Sequence, residues 1–252
     1  MISMTLNQDH FRVKKKVTSD LKHPTILHED NHLLIVNKPS GLLVQGDQSG
    51  DWTLKDWAEK DVAKRFNKPG KAFIGLPHRL DRPSSGIVIL AKTSKSLTRV
   101  SQLFAERAIK KTYWAIVEGK PKNNMSRLVN SLWKDPKQKK SFISTKKEAK
   151  EAILKYAVIS AGERYSLLEI ILETGRHHQI RCQLSAIGHP IKGDLKYGAK
   201  RSNKNGSISL HAQKISLKHP VKSNSITLTA PPPNESLWIQ LSEKIEKDYF
   251  HQ

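Results

Sequence analysis

The 252 residues are enough to bury one large or two small hydrophobic cores, and the ordinary apolar content excludes a disordered chain. Lysine and arginine outnumber aspartate and glutamate by 44 to 23, and the formal net charge of +21 predicts a polyanionic partner, most commonly a nucleic acid. The single cysteine, Cys182, excludes an intramolecular disulfide, and no apolar run is long enough to span a bilayer, so we expect a reducing, cytoplasmic compartment and no membrane association.

The chain begins with a basic segment, residues 1–24, that shows little periodicity. It is either an arm that orders on nucleic acid or a solvated tail, and both interpretations remain open. Regular structure is predicted from Thr25 onward as one continuous domain over residues 25–252, because no linker separates two halves. The compact apolar run Leu33–Asn37 predicts a strand, and the proline and glycine in 38–41 predict a turn after it.

The next elements alternate between helical and strand-like spacing of apolar residues. They are a helix over 54–66 behind Thr53, a buried strand at Ile87–Ala91, an amphipathic helix over 97–108 capped by Thr93 or Ser94, and a strand at Thr112–Glu118.

A lysine-rich stretch, residues 134–150, follows and is too polar for a core, so we expect a surface loop or hairpin. Beyond it the pattern predicts strands, a helix, further strands and a last helix. Their bounds are strands 152–161 and 165–172 joined at Gly162, a turn and helix over 174–187 ended by Gly188, strands 208–217 and 225–229, and a helix from Asn234 that packs Leu237, Trp238, Leu241 and Ile245. Strands dominate without regular strand–helix alternation, which favours a mixed α+β fold over a doubly wound parallel sheet.

Polar residues crowd the entrance of the buried strand, in the segment Pro77–Gly86. One interpretation of its histidine, arginines and Asp81 is a surface turn with a local Asp–Arg ion pair. The other is a carboxylate that neighbouring cations keep ionised, so that it can act as a nucleophile or a base.

Two further segments place cations beside aromatic or histidine side chains. In 110–114, lysines precede Tyr113 and Trp114, which suits a phosphate contact next to a stacking platform, although a strand lets only one of these rings face a cleft. In 173–181, His177 and Arg181 lie four residues apart and share a face if the helix has begun. The paired histidines lack carboxylate or cysteine partners at ligand spacing, so we expect no metal.

These segments belong to an ordered set of short motifs that runs from about Thr25 to Pro233. The set comprises Asn37–Gly41, His78–Asp81 with Ser85–Gly86, Lys111–Tyr113, Gly175–Arg181, Gly188–Ile191, Gly193–Asp194, Leu210–Ala212 and His219–Pro220. Each motif alone is weak, but their order is specific, and the chain resembles the RluA-type pseudouridine synthases.

The resemblance implies a pseudouridine synthase catalytic domain over 25–252, with a mixed, mostly antiparallel central sheet in two subdomains, flanking helices and a basic cleft. It implies that specific uridines in structured ribosomal or transfer RNA are isomerised to pseudouridine, by base flipping and by cleavage and re-formation of the glycosidic bond, without a cofactor or metal. We expect RNA as the partner and a monomeric enzyme.

The resemblance also assigns roles to matching positions. Asp81 would be the catalytic carboxylate, which either attacks the anomeric carbon or removes a ribose proton. Tyr113, also a catalytic residue, would stack on the target base and take part in proton transfer. Arg181, the third catalytic residue, would pair with Asp81, and Arg79 would fill the space that the flipped uridine leaves. The side chains expected to bind RNA are His78, Arg79, Arg82, Lys111, Arg176 and His177.

Two other function classes compete with this interpretation. An RNA-binding factor without catalysis would be free to lose the acid, yet Asp81, Tyr113 and Arg181 are all present. A metal-dependent nuclease would need a second carboxylate near the motifs. Many relatives carry a small RNA-binding domain ahead of the catalytic part, for which residues 1–24 are too few. Ser84 stands where threonine is frequent, and Cys182 is expected to fill the core.

Overall fold

The computed structural model describes residues 23–250, with side chains through residue 243. The predicted arm 1–24 therefore lies almost wholly outside the described residues, as does the side chain of Ile245. The described part contains ten strands and four α-helices. They are β1 (Thr25–Glu29), β2 (Leu33–Lys38), α1 (Leu54–Arg65), β3 (Ser85–Ala91), α2 (Ser94–Ala105), β4 (Lys110–Glu118), β5 (Met125–Asp135), β6 (Lys140–Ile143), β7 (Lys150–Ala161), β8 (Tyr165–Leu172), α3 (Gln179–Ala186), β9 (Leu210–Lys218), β10 (Ser225–Thr229) and α4 (Ser236–Phe250), with a 3-10 turn at Leu195–Tyr197.

Local sequence explains where the first two helices begin. The side chain of Thr53 accepts the backbone N–H of Asp56 and the Asp56 carboxylate accepts the N–H of Thr53, a capping box that satisfies otherwise unpaired helix donors. Thr93, rather than Ser94, starts α2 in the same way with Ser96. The lysine-rich stretch 134–150 forms the β5–β6 hairpin and its link to β7, which confirms the surface prediction.

All ten strands join one sheet in the order β1-β2-β3-β9-β4-β8-β7-β5-β6, with β10 beside β9. Among residues 23–250, the strand pairings are antiparallel except between β3 and β9, which run parallel over two residue pairs. These pairs, Ser85 with His211 and Gly86 with Ala212, form a seam between the two parts of the sheet. The mixed, mostly antiparallel sheet predicted from the sequence is confirmed.

Gly86 makes the seam possible. Its φ is 113°, and an added Cβ would lie 2.4 Å from the backbone N and O of Ala212. Only glycine combines this left-handed backbone with so close an approach, so the family motif that ends in Gly86 is a packing requirement.

Helices cover both faces of the sheet on each side of the seam. α1 packs on β2 and β3 through a cluster that includes Leu34, Val88 and Leu54. The opposite face of the same strands packs with α2, β9 and β10. Across the seam, α3 packs on β4, β7 and β8, and α4 covers their other face with Trp238 and Leu241. None of the helices in the described part has the length and hydrophobicity needed to cross a bilayer.

Candidate active site

The three polar segments singled out in the sequence meet in one cleft beside the seam. The loop before β3 supplies Asp81, β4 supplies Tyr113, and the start of α3 supplies Arg181. The outer part of the cleft is lined by the expected RNA-binding residues His78, Arg79, Lys111, Arg176 and His177. The fold therefore gathers residues that are distant in sequence around the carboxylate of Asp81.

The loop that carries Asp81 is held from beneath by Lys38, which is fully buried. The Nζ of Lys38 donates to the carbonyl oxygens of Leu42 and Ser84 at 2.9 and 2.7 Å, so one ammonium ties the loop before β3 to the turn after β2. Burial lowers the pKa of Lys38 to about 7, against the opposing charge of Asp81. Lys38 lies in one of the family motifs, but its role as a tie between loops is not predicted from the sequence.

Arg181 contacts Asp81 as the resemblance implies. Its Nη1 donates to Oδ2 of Asp81 at 2.9 Å, while Nε and Nη2 donate to the Asp194 carboxylate at 2.6 and 2.8 Å. Only 1% of the Asp194 side chain is exposed, compared with 31% for Asp81. Burial alone would lower the pKa of Arg181, but the hydrogen bonds and charges of both carboxylates outweigh burial and raise it. Asp194 thus fixes the guanidinium so that one N–H is aimed at the accessible carboxylate.

The helix α3 begins at Gln179, so His177 precedes it, and the condition under which His177 and Arg181 would share a helix face is not met. His178 occupies the helix N-cap with a φ of 51°, and its Nε2 lies 3.4 Å from Oδ2 of Asp81. The His177 ring stacks on it at 3.8 Å. Burial lowers the pKa of His178 to about 3, against the opposing charge of Asp81, which leaves the imidazole neutral. Sequence reasoning missed both His178 and Asp194, although each lies in one of the family motifs.

Tyr113 is the ring of its pair that faces the cleft, whereas Trp114 packs on the opposite face of the sheet near Trp238. Burial, and secondarily the charge of Asp81, raises the pKa of Tyr113, so the side chain is a neutral phenol at physiological pH. A neutral aromatic ring can stack on a base, and because it carries no negative charge it does not compete with Asp81 for Arg181.

Two of the predicted RNA-binding residues have other contacts. Nε2 of His78 accepts the backbone N–H of Ile89 at 2.8 Å, and burial lowers the pKa of His78 to about 3, so the ring is neutral and anchors its loop to β3. Arg82 pairs with Asp51 at 2.8 Å and donates to the carbonyl of Gly41, and it does not line the cleft. Arg79, by contrast, is exposed at the rim.

The arrangement suits chemistry by a single carboxylate. Asp81 can accept a proton or attack an electrophilic carbon, Arg181 stabilises its negative charge, and the cationic rim suits a phosphate backbone. Within the described residues, no cluster of three or more His, Cys, Asp or Glu side chains is arranged to hold a metal ion.

Comparisons with known proteins point to one family. The family model described as RNA pseudouridylate synthase matches residues 32–186. A Synechocystis protein described as an uncharacterized RNA pseudouridine synthase is 34% identical over 228 residues, which cover 87% of this chain and 69% of that protein. The ribosomal large subunit pseudouridine synthase C of Buchnera aphidicola is 34% identical over 214 residues, covering 82% and 66%. Among solved structures, human RNA pseudouridylate synthase domain containing 4 matches with a TM-score of 0.68 and 25% identity over 88% of this chain and 93% of that one.

Proposed function

The chain belongs to the RNA pseudouridine synthase family and isomerises uridine to pseudouridine in RNA, and on that premise we propose that its substrate is large-subunit ribosomal RNA and that Asp81 is the catalytic carboxylate. The substrate proposal is supported by the name of the Buchnera relative, and the net charge of +21 favours binding to a polyanion such as RNA. The chain spans about two thirds of the length of these bacterial relatives, so the proposal names the class of RNA and not the individual uridine.

The observation that carries the role of Asp81 is the buried Asp194–Arg181 pair, which presents one N–H to an otherwise accessible carboxylate. With 31% of the Asp81 side chain open to the cleft, a substrate can reach the carboxylate while Arg181 holds it in place. Asp81 then attacks the anomeric carbon or removes a neighbouring ribose proton. The bond between N1 of uracil and the anomeric carbon breaks, and the uracil turns in the cleft. A bond then forms between C5 of uracil and the anomeric carbon, N1 takes up a proton, and the C5 proton is released to solvent.

Base flipping explains the remaining cleft residues. Extruding the uridine from the stack costs a few kcal/mol. Stacking on Tyr113 offsets roughly 1–3 kcal/mol of that cost. Arg79 is exposed at the rim, where its side chain can enter the space that the base leaves, and Lys111 and Arg176 are placed to hold phosphates. His177 and the neutral His78 border the same cleft, while Arg82 is proposed to contact RNA only at its outer side.

Release of tritium from RNA labelled at uridine C5 tests the catalytic role. Asp81→Asn should abolish release, whereas Asp51→Asn, which breaks the exposed pair with Arg82 outside the cleft, should leave turnover unchanged. Normal turnover by Asp81→Asn would show that this carboxylate does not carry the reaction.

Mapping pseudouridines in RNA from cells with and without the protein tests the substrate. We expect the sites that disappear to lie in large-subunit ribosomal RNA, and loss confined to transfer RNA would contradict the proposal. We further propose that the enzyme acts as a monomer, because the cleft that holds Asp81, Tyr113 and Arg181 is formed within a single fold, and in the cytoplasm, because that is where a bacterial enzyme named for large-subunit ribosomal RNA meets its substrate. Light scattering of the active fraction tests that state.

A further inference from the structure

His178 lies between two groups, one that can donate a hydrogen bond to its ring and one that can accept a hydrogen bond from it. Its Nδ1 lies 3.0 Å from the hydroxyl of Tyr197, and its Nε2 lies 3.4 Å from Oδ2 of Asp81. The Tyr197 oxygen already accepts the backbone N–H of Ser141 at 2.8 Å. The tyrosine proton is therefore free to be donated to Nδ1 of His178. A neutral imidazole that accepts at Nδ1 carries its own proton on Nε2, which faces the carboxylate.

The backbone of His178 supports the same interpretation. With a φ of 51°, the residue adopts the left-handed conformation, which is uncommon for residues other than glycine, and its side chain makes no capping hydrogen bond to α3. Such strain persists only where surrounding contacts maintain it, and it is concentrated at functional sites. Here the conformation directs the ring away from the helix end and toward Asp81.

We propose that His178 is a positioning residue for Asp81. Tyr197 fixes the tautomer in which Nε2 carries the proton, and in the RNA-bound enzyme the 3.4 Å contact shortens to a hydrogen bond that holds the carboxylate in one rotamer. Arg181 then stabilises the negative charge of Asp81, and His178 fixes the orientation of the Asp81 carboxylate. The proposal rests on the catalytic role assigned to Asp81, and it adds a residue that acts through that carboxylate without touching the substrate.

The surroundings of His178 keep the ring neutral. Arg181 lies one turn along α3, His177 stacks beside it, Lys196 and Tyr197 come from the 3-10 turn, and Asp81 comes from the loop before β3. Burial and the nearby cations disfavour an imidazolium, and Asp81 alone favours it. A neutral donor can therefore orient the carboxylate without neutralising its negative charge.

Two substitutions separate orientation from packing. Asparagine tolerates the left-handed backbone but is too short to reach Asp81, so His178→Asn should lower the single-turnover rate of tritium release about 10-fold to 100-fold with little change in KM for RNA. Glutamine can place an amide N–H near the position of Nε2, so His178→Gln should recover at least part of the rate. The substrate is ribosomal RNA labelled at uridine C5 and isolated from cells that lack the protein.

A double-mutant cycle tests the link to Tyr197. Tyr197→Phe should lower the rate in the wild-type background and have no further effect in His178→Asn, because the hydroxyl acts through the imidazole. Tyr156→Phe removes another largely buried tyrosine hydroxyl, one that donates to the carbonyl of Asn123, and should leave the rate unchanged.

Four outcomes would overturn the proposal. They are a wild-type rate for His178→Asn, a rise in KM at constant rate, equal rates for the asparagine and glutamine variants, and additive effects in the cycle. If Asp81→Asn is inactive while His178→Asn is normal, only the role of His178 fails. If Asp81→Asn retains turnover, the proposed catalytic role and this inference fail together.

Discussion

The cleft beside the seam and the lysine-rich edge of the sheet both concentrate charged side chains, but they differ in how far those side chains are buried and paired. In the cleft beside the seam, Arg181 and Asp194 are almost fully buried, and three N–H groups of Arg181 have carboxylate acceptors. At the edge, residues 134–150, most of the lysines are exposed and acidic side chains are few. Buried pairs fix geometry, whereas exposed cations add long-range attraction that salt screens. Chemistry and affinity are therefore assigned to different parts of the molecule.

The largest effect is expected from Asp194→Asn. Removing the buried partner leaves the charge of Arg181 compensated only by the more exposed Asp81, so we expect the free energy of unfolding to fall by up to about 3–5 kcal/mol. Turnover should fall as well, because the guanidinium of Arg181 loses the acceptor that orients it. Denaturant unfolding and tritium release measure the two effects.

Asp61→Asn is the matched control for that substitution. Asp61 pairs with Arg65 on the surface of α1, and breaking such a pair should cost at most about 1 kcal/mol without affecting turnover. Equal destabilisation in the two variants would show that burial does not strengthen the Arg181–Asp194 ion pair.

An effect of intermediate size is expected from the pH dependence of folding stability, through a histidine at the seam. His211 is fully buried, and its Nε2 donates to the carbonyl of Ala230, so Nδ1 accepts the hydroxyl of Ser85. Burial lowers the pKa of His211 to about 4, against the favourable carbonyl contact. Below about pH 6.5, His211 is protonated in the unfolded chain but stays neutral in the folded chain. The contribution of neutral His211 to the free energy of unfolding is therefore fully present above that pH and is lost progressively toward pH 4.

Denaturant titrations between about pH 7.5 and pH 5 measure this dependence. His211→Gln should reduce the slope by up to about 1.4 kcal/mol per pH unit, while the exposed His23→Gln should leave it unchanged. An unchanged slope in His211→Gln would mean that the seam tolerates an imidazolium.

The smallest effect on chemistry is expected at the edge. Replacing the exposed Lys137, Lys139 and Lys147 with glutamine should weaken RNA binding and flatten its salt dependence, by roughly 0.7–0.9 in the logarithmic slope for each phosphate that is no longer neutralised. The single-turnover rate at saturating protein should stay within about 2-fold of wild type, because these lysines lie away from Asp81.

The same number of exposed lysines outside the cleft provides the control. Lys68, Lys71 and Lys95 change to glutamine with an identical change in net charge. If both triple variants alter the salt slope equally, RNA is attracted by net charge and not by the lysine-rich edge. A matched fall in the chemical step would instead connect the edge to the active site.

Sequence periodicity and capping residues are sufficient to predict most elements, because β2, β3 and the first two helices satisfy their local preferences. The first half of β5 is not predicted, since its exposed side alternates Met125, Arg127 and Val129 and lacks a consistent polar face. The pairing of β3 with β9 depends on contacts between distant segments, which local patterns do not encode. The helix start after His178 likewise depends on a left-handed residue that tertiary contacts hold in place.

The motifs locate the cleft but do not rank its residues. Asp81, Tyr113 and Arg181 meet there, whereas Arg82 points to Asp51 and His78 anchors a loop. Short sequence spacing cannot distinguish a cation that faces the cleft from one three residues away that faces solvent. Asp194 escapes notice in the sequence because its partner lies 13 residues earlier, on a different element.

The distance between Asp81 and Arg181 along the chain has a consequence for protein synthesis. The two residues are separated by 100 positions. At a translation rate of about 5–20 residues per second, the carboxylate leaves the ribosome roughly 5–20 s before its guanidinium partner. Each newly made molecule is therefore inactive until its C-terminal half has emerged and closed on the first, and a nascent chain cannot modify the RNA of the ribosome that is making it before that moment.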